Sequence, residues 1–392
     1  MKKYSHFETN AVRGQMTRSQ KKEHSTPIFA TSSFVFDTAE EARAVFADEV
    51  DGYLYSRYNN PNTDEFVEKL CMLEGVEDGI ATSTGMAANY LGIIAHLRAG
   101  DHIIASRSLF TSSHQIITKI LPNFGITHTY VDCDDNEGWE EAVMPSTRLF
   151  FIETPSNPGL DLVDIEFVVK LAKENNCLVV IDNSFASPYI QNPAEFGVDL
   201  ICHSATKFID GQGRTMGGAV LGAPEVMEQV RFFARQTGPT LAPFNAWILS
   251  KSLETLPVRM EKHCDNALKF AQFLEQYKGV KTVKYPHLTS HPQYELARKQ
   301  MRLGGAMVSF EVEGGYERCI RFIDKLEMLS VTPNLGDTRT ALTHPASTTH
   351  SKLSEEEREA VGISNELVRV SVGLEHIDDI IVDVENALNK SK

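Results

Sequence analysis

The chain of 392 residues is 42% hydrophobic and 23% charged, the composition of an ordinary globular protein too long for one hydrophobic core. Its net charge of −15 excludes a nucleic-acid-binding surface, which needs clustered cations. No apolar run reaches the roughly 18–20 residues of a membrane span, and no secretory signal follows the basic residues at the start. The six cysteines lie far apart without a CxxC pair, which favours reduced thiols over disulfides or a metal site. We therefore expect a cytoplasmic protein that handles small molecules or serves as an assembly subunit.

Residues 1–60 carry little periodicity and predict an extended N-terminal arm, which needs another surface to lie on. A helix is then predicted from an N-cap at Thr63 to Gly75. In the rest of residues 61–245, short apolar runs alternate with helical patterns, as expected for strands buried on both faces of a sheet. The pattern predicts a large α/β domain with a mostly parallel sheet and helices on each side. The runs are DHIIAS (101–106), ITHTYV (126–131), RLFFIE (148–153), CLVVID (177–182) and VDLICHS (198–204), with a helix at DIEFVVKLAKEN (164–175).

Residues 246–392 predict a smaller C-terminal α+β domain. A long helical stretch (245–277) is interrupted by Pro257, which should kink or break it. Strand-like runs follow at AMVSFEVE (306–313) and LVRVSVG (367–373), and a closing helix is predicted near 376–389. The chain is thus predicted to consist of an arm, a large domain and a smaller one.

The segment HSATKFIDGQGR (203–214) follows a predicted strand and carries Lys207 in a turn. A lysine there can expose its amine toward a pocket, and the hydroxyls of Ser204 and Thr206 can reach a phosphate on the same ligand. A solvated surface lysine is the alternative that this segment alone leaves open. At the end of another predicted strand, Asp182 faces the crevice where α/β proteins bind ligands, unless it only caps the next turn.

A third segment, TSTGMAANY (82–90), predicts a turn from a strand into a helix. Gly85 permits the backbone amides there to form an anion site, although many helices begin with Ser-Thr-Gly for capping alone. A lysine, a carboxylate and an anion site together suit pyridoxal 5′-phosphate (PLP). That cofactor needs a lysine to hold it and an anion against its pyridine nitrogen.

Together these segments resemble the PLP-dependent enzymes of cysteine and methionine metabolism, which include cystathionine γ-synthase, cystathionine lyases, methionine γ-lyase and the homoserine-ester sulfhydrylases. The resemblance runs through almost the whole chain and implies the type I, aspartate aminotransferase-like fold. Within the family, SRSLF, HSATKFIDGQGR and GPTLAPFNAW are most similar to O-succinylhomoserine sulfhydrylase. Other matching segments are YSRYNNP (55–61), FIETPSNP (151–158), VIDNSFASP (180–188), LGDTRTALTHPASTTH (335–350) and VRVSVGLE (368–375).

The resemblance implies a catalytic centre built from a few of the matching residues. Lys207 would hold the cofactor as a Schiff base and later shuttle protons. Asp182, oriented by Ser184, would pair with the pyridine nitrogen. Arg369 would bind the substrate α-carboxylate bidentately, a task that suits a guanidinium, and the backbone at Asn334 would meet the same carboxylate.

The resemblance also implies a cofactor-binding set and a shared site. The phosphate would be held by Gly85, Met86, Ser204 and Thr206, and the ring's 3′-oxygen would contact Asn157. Tyr55 and Arg57 match a phosphate clamp that reaches in from the neighbouring subunit, whereas a surface salt bridge is the plain alternative for Arg57. A shared clamp implies a homo-oligomer, and we expect a tetramer built from two dimers.

Three residues near position 110 depart from the common family pattern. Phe110 replaces a tyrosine, so it can still stack on the ring but cannot pass a proton. Thr111 replaces the glycine that usually follows, and Ser112 stands where methionine γ-lyases carry a reactive cysteine. These departures favour a sulfhydrylase over a lyase. Arg107 is a candidate for binding a distal succinate carboxylate, with a structural role as the alternative.

The resemblance implies a transferase of methionine biosynthesis, in which an O-acylated homoserine and sulfide give L-homocysteine and the free acid. O-succinylhomoserine is the favoured substrate, and the succinyl, acetyl and phospho esters remain open. Cystathionine γ-synthase, O-acetylhomoserine sulfhydrylase and methionine γ-lyase are the catalytic alternatives. A PLP-fold binding or regulatory subunit is the non-catalytic one.

Overall fold

A seven-stranded sheet forms the centre of the larger part of the chain in the computed structural model, which describes residues 1–352, 354–359 and 362–392. Its strands are β1 (Asp78–Thr82), β2 (His102–Ser106), β3 (Thr127–Val131), β4 (Thr147–Glu153), β5 (Leu178–Asp182), β6 (Leu200–Ser204) and β7 (Gly218–Gly222). They lie in the order β1-β7-β6-β5-β4-β2-β3, and β7 is the strand that runs against its neighbours. The mostly parallel sheet predicted from the alternating runs is confirmed.

A second sheet of five strands belongs to the C-terminal part. Its strands are β8 (Val280–Lys284), β9 (Met307–Val312), β10 (Ser330–Val331), β11 (Ala341–Thr343) and β12 (Leu367–Ser371). The order is β10-β11-β12-β9-β8, and all pairs except β10 with β11 are antiparallel. This arrangement agrees with the predicted α+β character.

Helices cover both sheets. They are α1 (Phe7–Arg13), α2 (Ala39–Phe46), α3 (Pro61–Glu74), α4 (Gly85–Ile94), α5 (Thr111–Gln115), α6 (Asn136–Glu141), α7 (Ile165–Glu174), α8 (Ser187–Ile190), α9 (Pro224–Thr237), α10 (Pro243–Leu253), α11 (Leu256–Gln276), α12 (Tyr294–Gln300), α13 (Gly315–Asp324), α14 (Glu355–Glu359) and α15 (Ile377–Lys390). A π-helical turn spans Ile116–Ile120, and short 3₁₀ turns span Leu121–Phe124, Pro193–Phe196 and Pro345–Ser347. Within the described residues, no helix is both long and apolar enough to cross a membrane.

The core of the larger part lies on both faces of the seven-stranded sheet. In β4, Phe150 and Ile152 enter one hydrophobic cluster, while Leu149 and Phe151 enter the cluster on the opposite face. Alternate side chains of a strand point to opposite faces, so a strand covered by helices on both sides must be apolar throughout. This requirement explains why residues 149–152 of the segment RLFFIE are all apolar.

The boundaries of the predicted helices needed one correction. The helix with a predicted N-cap at Thr63 begins three residues earlier than expected, because Asn60 is the N-cap and Pro61 occupies the first turn. Thr63 instead completes a capping box with Asn60. The C-terminal end was predicted correctly, since Gly75 adopts the left-handed conformation (φ 80°) that ends the helix. The break near Pro257 is also confirmed, because α10 ends before it and α11 begins beside it.

The N-terminal arm is not extended throughout, since α1 and α2 form within it. The Thr38 side chain caps α2 by accepting from the Glu41 amide, a local interaction that needs no apolar periodicity. Part of the arm lies against α10, where Trp247 Nε1 donates to the Thr26 carbonyl at 2.8 Å. The boundary predicted between residues 245 and 246 falls inside α10, and the division of the chain into domains stays a prediction.

We expect the C-terminal sheet to depend on Phe310 of β9. Its ring is buried and packs edge-on against Phe270 and Phe322 at centroid distances of 6.3 and 6.0 Å. Phe310→Ala should therefore lower the free energy of unfolding by about 3–5 kcal/mol, as core truncations of this size do. Urea unfolding followed by tryptophan and far-UV signals measures the change. Val382→Ala, an exposed position on α15, serves as the control, and equal small losses in both variants would contradict the expectation.

Candidate active site

A cavity of about 360 Å³ opens at the carboxyl ends of the parallel strands β4, β5 and β6, where it also meets β12 and the loop after β10. α/β proteins bind ligands at this edge because strand ends and helix N-termini converge there. All the predicted site residues except Tyr55, Arg57 and Arg107 line the cavity. They are Gly85, Met86, Phe110, Asn157, Asp182, Ser184, Ser204, Thr206, Lys207, Asn334 and Arg369.

Asp182 is the last residue of β5 and is held by three hydrogen bonds. Its Oδ1 accepts from the amide of Ser184 at 3.0 Å and from the Ser184 hydroxyl at 2.5 Å. Its Oδ2 accepts from Nδ2 of Asn89 at 2.7 Å. Three donors stabilise the ionised carboxylate and fix its direction. The structure therefore offers an oriented anion at the floor of the cavity.

Lys207 lies in the turn after β6, with its amine in the same cavity. The turn is closed by the bond from the Lys207 amide to the Ser204 carbonyl at 3.2 Å. The pKa of the amine is lowered to about 8, mainly by burial and also by the nearby Arg369 cation, while Asp182 opposes the shift. More of this amine is therefore unprotonated near neutral pH than in an ordinary lysine, which favours its action as a nucleophile. Its Nζ donates to Oδ1 of Asn334 at 2.6 Å.

The N-terminus of α4 forms an anion cradle beside this lysine turn. Thr84 caps the helix by accepting from the Ala87 amide, which leaves the amides of Gly85 and Met86 without an intrahelical acceptor. Ser204 faces them closely, because a Cβ on Gly85 would lie only 2.4 Å from Cβ of Ser204. Glycine is therefore required at position 85, and the free amides with the Ser204 hydroxyl suit a phosphate group.

Arg369 of β12 is a buried cation on the opposite wall. Its Nη1 donates to Oδ1 of Asn157 at 2.9 Å and its Nη2 donates to the Pro333 carbonyl at 3.0 Å. Nε has no partner among the described residues, and no carboxylate there forms a salt bridge with this guanidinium. Burial lowers its pKa to about 10, and Glu153 opposes the shift. A buried guanidinium without an anionic partner is suited to bind the carboxylate of a ligand.

Sequence reasoning missed several polar groups of this cavity, and two of them adjoin Asp182. Asn89 of α4 donates to Asp182, and Glu153, the last residue of β4, is buried beside it. Glu153 could have been found, because it ends an apolar strand run in the same manner as Asp182. Asn89 gave no such signal, since an Asn within a helical pattern points in no particular direction. The expectation for Asn334 concerned its backbone, whereas the structure bonds its side chain to Lys207.

Tyr55 and Arg57 lie away from the cavity within this chain. Both side chains are exposed. Arg57 donates to the Tyr58 hydroxyl at 2.9 Å and to the Arg235 carbonyl, and it lines a separate cavity of about 350 Å³. Arg107 also lies outside the active-site cavity, because its Nε pairs with Asp132 at 2.6 Å.

With this geometry established, comparison with known proteins identifies the family. The sequence model of the Cys/Met metabolism PLP-dependent enzymes matches residues 8–389, and the chain belongs to this family. The O-succinylhomoserine sulfhydrylase of Pseudomonas aeruginosa is 47% identical over 382 residues, which cover 97% of this chain and 95% of that protein. The L-methionine gamma-lyase of Porphyromonas gingivalis is 43% identical over 388 residues, which cover 98% of this chain and 97% of that protein.

The fold agrees with a solved structure of the same family. A Campylobacter jejuni chain assigned as O-acetylhomoserine (thiol)-lyase superimposes with a TM-score of 0.94 at 33% identity, covering 98% of this chain and 99% of its own. That structure carries N′-pyridoxyl-lysine-5′-monophosphate. The protein is therefore a PLP-dependent enzyme with the type I fold.

The residues of the cavity fit this cofactor. They supply a lysine amine with a lowered pKa, an oriented carboxylate and an anion cradle in which glycine is required. When bound, the cofactor supplies an electron sink that stabilises negative charge developed on an attached amino acid. These three groups are the ones that a PLP site needs.

We expect Lys207→Ala to lose covalently held cofactor, because the Lys207 amine is the cavity's nucleophile. Borohydride reduction of the native protein should leave the cofactor attached to the peptide that contains Lys207. The variant should release its cofactor on denaturation after the same treatment. Absorbance and peptide mass measure both outcomes.

Lys170→Ala, on the exposed face of α7, is the control and should behave like the native protein. Cofactor recovered on a different lysine of the native protein would contradict the assignment of Lys207.

Proposed function

We propose that this enzyme catalyses γ-replacement on an O-acylated homoserine, with O-succinylhomoserine favoured. Sulfide displaces the acyloxy group, and the products are L-homocysteine and the free acid, as in methionine biosynthesis. The observation that carries the proposal is the presence of Lys207, Asp182 and Arg369 in one cavity. Phe110 forms part of the wall of this cavity. The 47% identity to an O-succinylhomoserine sulfhydrylase supports this function. Because an L-methionine gamma-lyase is also 43% identical, overall identity does not distinguish the two activities, and the residues of the site must do so.

Lys207 and Asp182 perform the proton chemistry in this proposal. Lys207 holds the cofactor, and once its amine is free, Nζ removes the Cα proton of the substrate. A pKa of about 8 suits a base that must also return protons near neutral pH. Asp182 keeps a proton on the pyridine nitrogen, because the three hydrogen bonds it accepts stabilise its anionic form.

The substrate is oriented by Arg369. Its guanidinium binds the α-carboxylate, and the bond to Asn157 fixes the plane of the guanidinium. Asn157 would also contact the cofactor's 3′-oxygen. Asn334, which lies in the loop after β10, would contact the α-carboxylate of the substrate. Gly85, Met86, Ser204 and Thr206 hold the phosphate. The substrate α-carboxylate and the cofactor's phosphate and 3′-oxygen then each have a partner, as desolvation in a buried cavity requires.

Phe110 decides the choice of nucleophile in this proposal. Its ring contributes an apolar face to the cavity, and its amide is bonded to Oε2 of Glu153 at 2.8 Å. Sulfide is small and largely ionised near neutral pH, so it needs no base from the protein. Cysteine brings an ammonium and a carboxylate that must be paired or desolvated, and its thiol has a pKa of about 8.5. A phenyl ring cannot serve as the base for that thiol.

The test is the ratio of kcat/KM for sulfide and for cysteine at saturating O-succinylhomoserine and one pH. We expect sulfide to be favoured at least about tenfold, which corresponds to about 1.4 kcal/mol of transition-state stabilisation. Steady-state rates with the acetyl and phospho esters of homoserine, under the same conditions, determine the acyl group.

Phe110→Tyr provides the matched variant and should raise the rate with cysteine more than the rate with sulfide. A native preference for cysteine would instead indicate cystathionine γ-synthase. Rapid release of 2-oxobutyrate without a nucleophile would indicate a γ-lyase. A protein that binds PLP and turns over none of these substrates would indicate the regulatory alternative.

We also propose that the enzyme is a cytoplasmic homotetramer, a dimer of dimers, with two residues of each site supplied by a neighbour. Tyr55 and Arg57 are exposed and lie outside their own chain's cavity. A tyrosine and an arginine side by side are suited to bind a phosphate, and a neighbouring copy would bring them to the cradle at Gly85. The cytoplasmic location is supported by the six cysteines, all buried and free of disulfides.

The shared site predicts complementation between two inactive variants. Arg57→Ala removes the clamp, and Lys207→Ala removes the base, so each homo-oligomer should lose most of its activity. A hybrid dimer contains one site in which both residues are native. Mixing the two proteins under conditions of subunit exchange should therefore restore up to about a quarter of the native rate per site, as random pairing dictates. Exchange shown by mass spectrometry without any recovery would contradict the shared site.

A further inference from the structure

Glu153 is a carboxyl group of the cavity for which the proposed reaction has no use. It ends β4 directly beside Asp182, the residue that ends β5, because the two strands are parallel and these residues are paired in register. Its side chain is 4% exposed, and it lines the same cavity as Lys207 and Arg369. A second buried carboxyl next to a functional one is costly unless it is neutral or paired.

The two carboxyl groups receive unequal support from hydrogen-bond donors. Asp182 accepts three bonds, from Asn89 and Ser184, whereas Glu153 accepts one, from the Phe110 amide to Oε2 at 2.8 Å. No hydrogen bond reaches Oε1 of Glu153 within the described parts of the chain, and no cation forms a salt bridge with it there. When two neighbouring carboxyl groups share a site, the group that accepts more hydrogen bonds ionises first, and the other group keeps its proton.

Burial raises the pKa of Glu153 well above its ordinary value, and the negative charge of Asp182 raises it further. The Phe110 amide and Arg369 oppose this shift without reversing it. The charged groups that act on Glu153 are Asp182 of β5 and Arg369 of β12, and Lys207 after β6 lines the same cavity. Beyond them, His350 lies near Arg369, and His114 of α5 lies near His350.

We propose that Glu153 is present as a neutral carboxylic acid, and that this neutrality admits the anionic α-carboxylate of the substrate to Arg369. The inference rests on the proposed role of Arg369. An ionised Glu153 would place a second negative charge near the guanidinium, where it would compete with the ligand and repel it. As a neutral acid, Glu153 uses Oε2 to accept from Phe110 and leaves the carboxyl proton on Oε1 available to a ligand in the cavity.

The first test is infrared difference spectroscopy of the holoenzyme. At pH 7 the native enzyme should show a carbonyl band of a protonated carboxylic acid that is absent from Glu153→Gln. The same band should persist in Glu166→Gln, which removes an exposed carboxylate paired with Lys299. If the native spectrum at neutral pH contains no protonated-acid band that disappears in Glu153→Gln, the proposal is wrong.

The second test separates KM from kcat across pH. As the pH rises and Glu153 ionises, the native KM for the amino-acid substrate should rise about tenfold more than the KM of Glu153→Gln. At pH 7 the Gln variant, which is neutral and of the same shape, should keep its kcat within about threefold of the native value. A parallel rise of KM in both enzymes would overturn the proposal, and so would a collapse of kcat in the Gln variant, because that result would make Glu153 a proton-transferring group.

Thermal unfolding provides a readout that needs no substrate. A folded-state pKa above the unfolded value stabilises the fold at low pH, and this contribution is lost as the pH rises through the folded pKa. The melting temperature of the native enzyme should therefore fall more steeply than that of Glu153→Gln as the pH rises above the ordinary pKa of a glutamate, about 4.3, and the two slopes should become equal once Glu153 is ionised. Glu153→Met, which is uncharged and similar in volume, replaces the Gln variant if the latter does not fold. Equal slopes between about pH 5 and pH 7 would count against the proposal.

These measurements can be made with whichever homoserine ester the enzyme turns over. A wrong acyl group or nucleophile would therefore appear as a failure of the proposed function and leave the Glu153 tests intact.

Discussion

Three neighbouring parallel strands, β4, β5 and β6, end at the same edge of the seven-stranded sheet. Their register brings Glu153 and Asp182 side by side, and the turn after β6 carries Lys207 into the same cavity. Helix α4 contributes its free amides from the other side because Gly85 allows it to approach Ser204 closely. The acid, the base and the anion cradle are therefore held by backbone elements, which fixes their relative positions before any ligand binds.

The charges of the cavity are arranged in a consistent way. Asp182 accepts three hydrogen bonds, whereas the neighbouring Glu153 accepts one. Arg369 is a cation whose Nε has no partner in the described chain, and burial keeps the pKa of Lys207 near 8. An amino-acid ligand would complete this arrangement, since its α-carboxylate would pair with the guanidinium. The charge balance thus favours an amino acid over a neutral ligand.

The sequence allowed most of the site to be predicted, because each residue lay in a recognisable local context. Asp182 follows an apolar strand, Lys207 lies in a turn after another, and Gly85 begins a helix. Glu153 followed the same rule and was nevertheless passed over, because the family resemblance gave it no role. The N-cap of α3 was misplaced by three residues, since Asn60 and Thr63 can both cap and only the position of Pro61 in the first turn decides between them.

The sequence by itself determined the elements and the identity of the chemical groups, since periodicity, capping residues and strand ends are local properties of the chain. It determined the alternation of strands and helices and therefore the parallel sheet. Only the tertiary structure decided which groups meet. The contact between Asn89 and Asp182 spans 93 residues, and that between Lys207 and Asn334 spans 127. Likewise, only the fold left Tyr55 and Arg57 outside the cavity of their own chain. The protonation of Glu153 depends on burial and on a neighbouring charge, and both are properties of the packed molecule that no local pattern encodes.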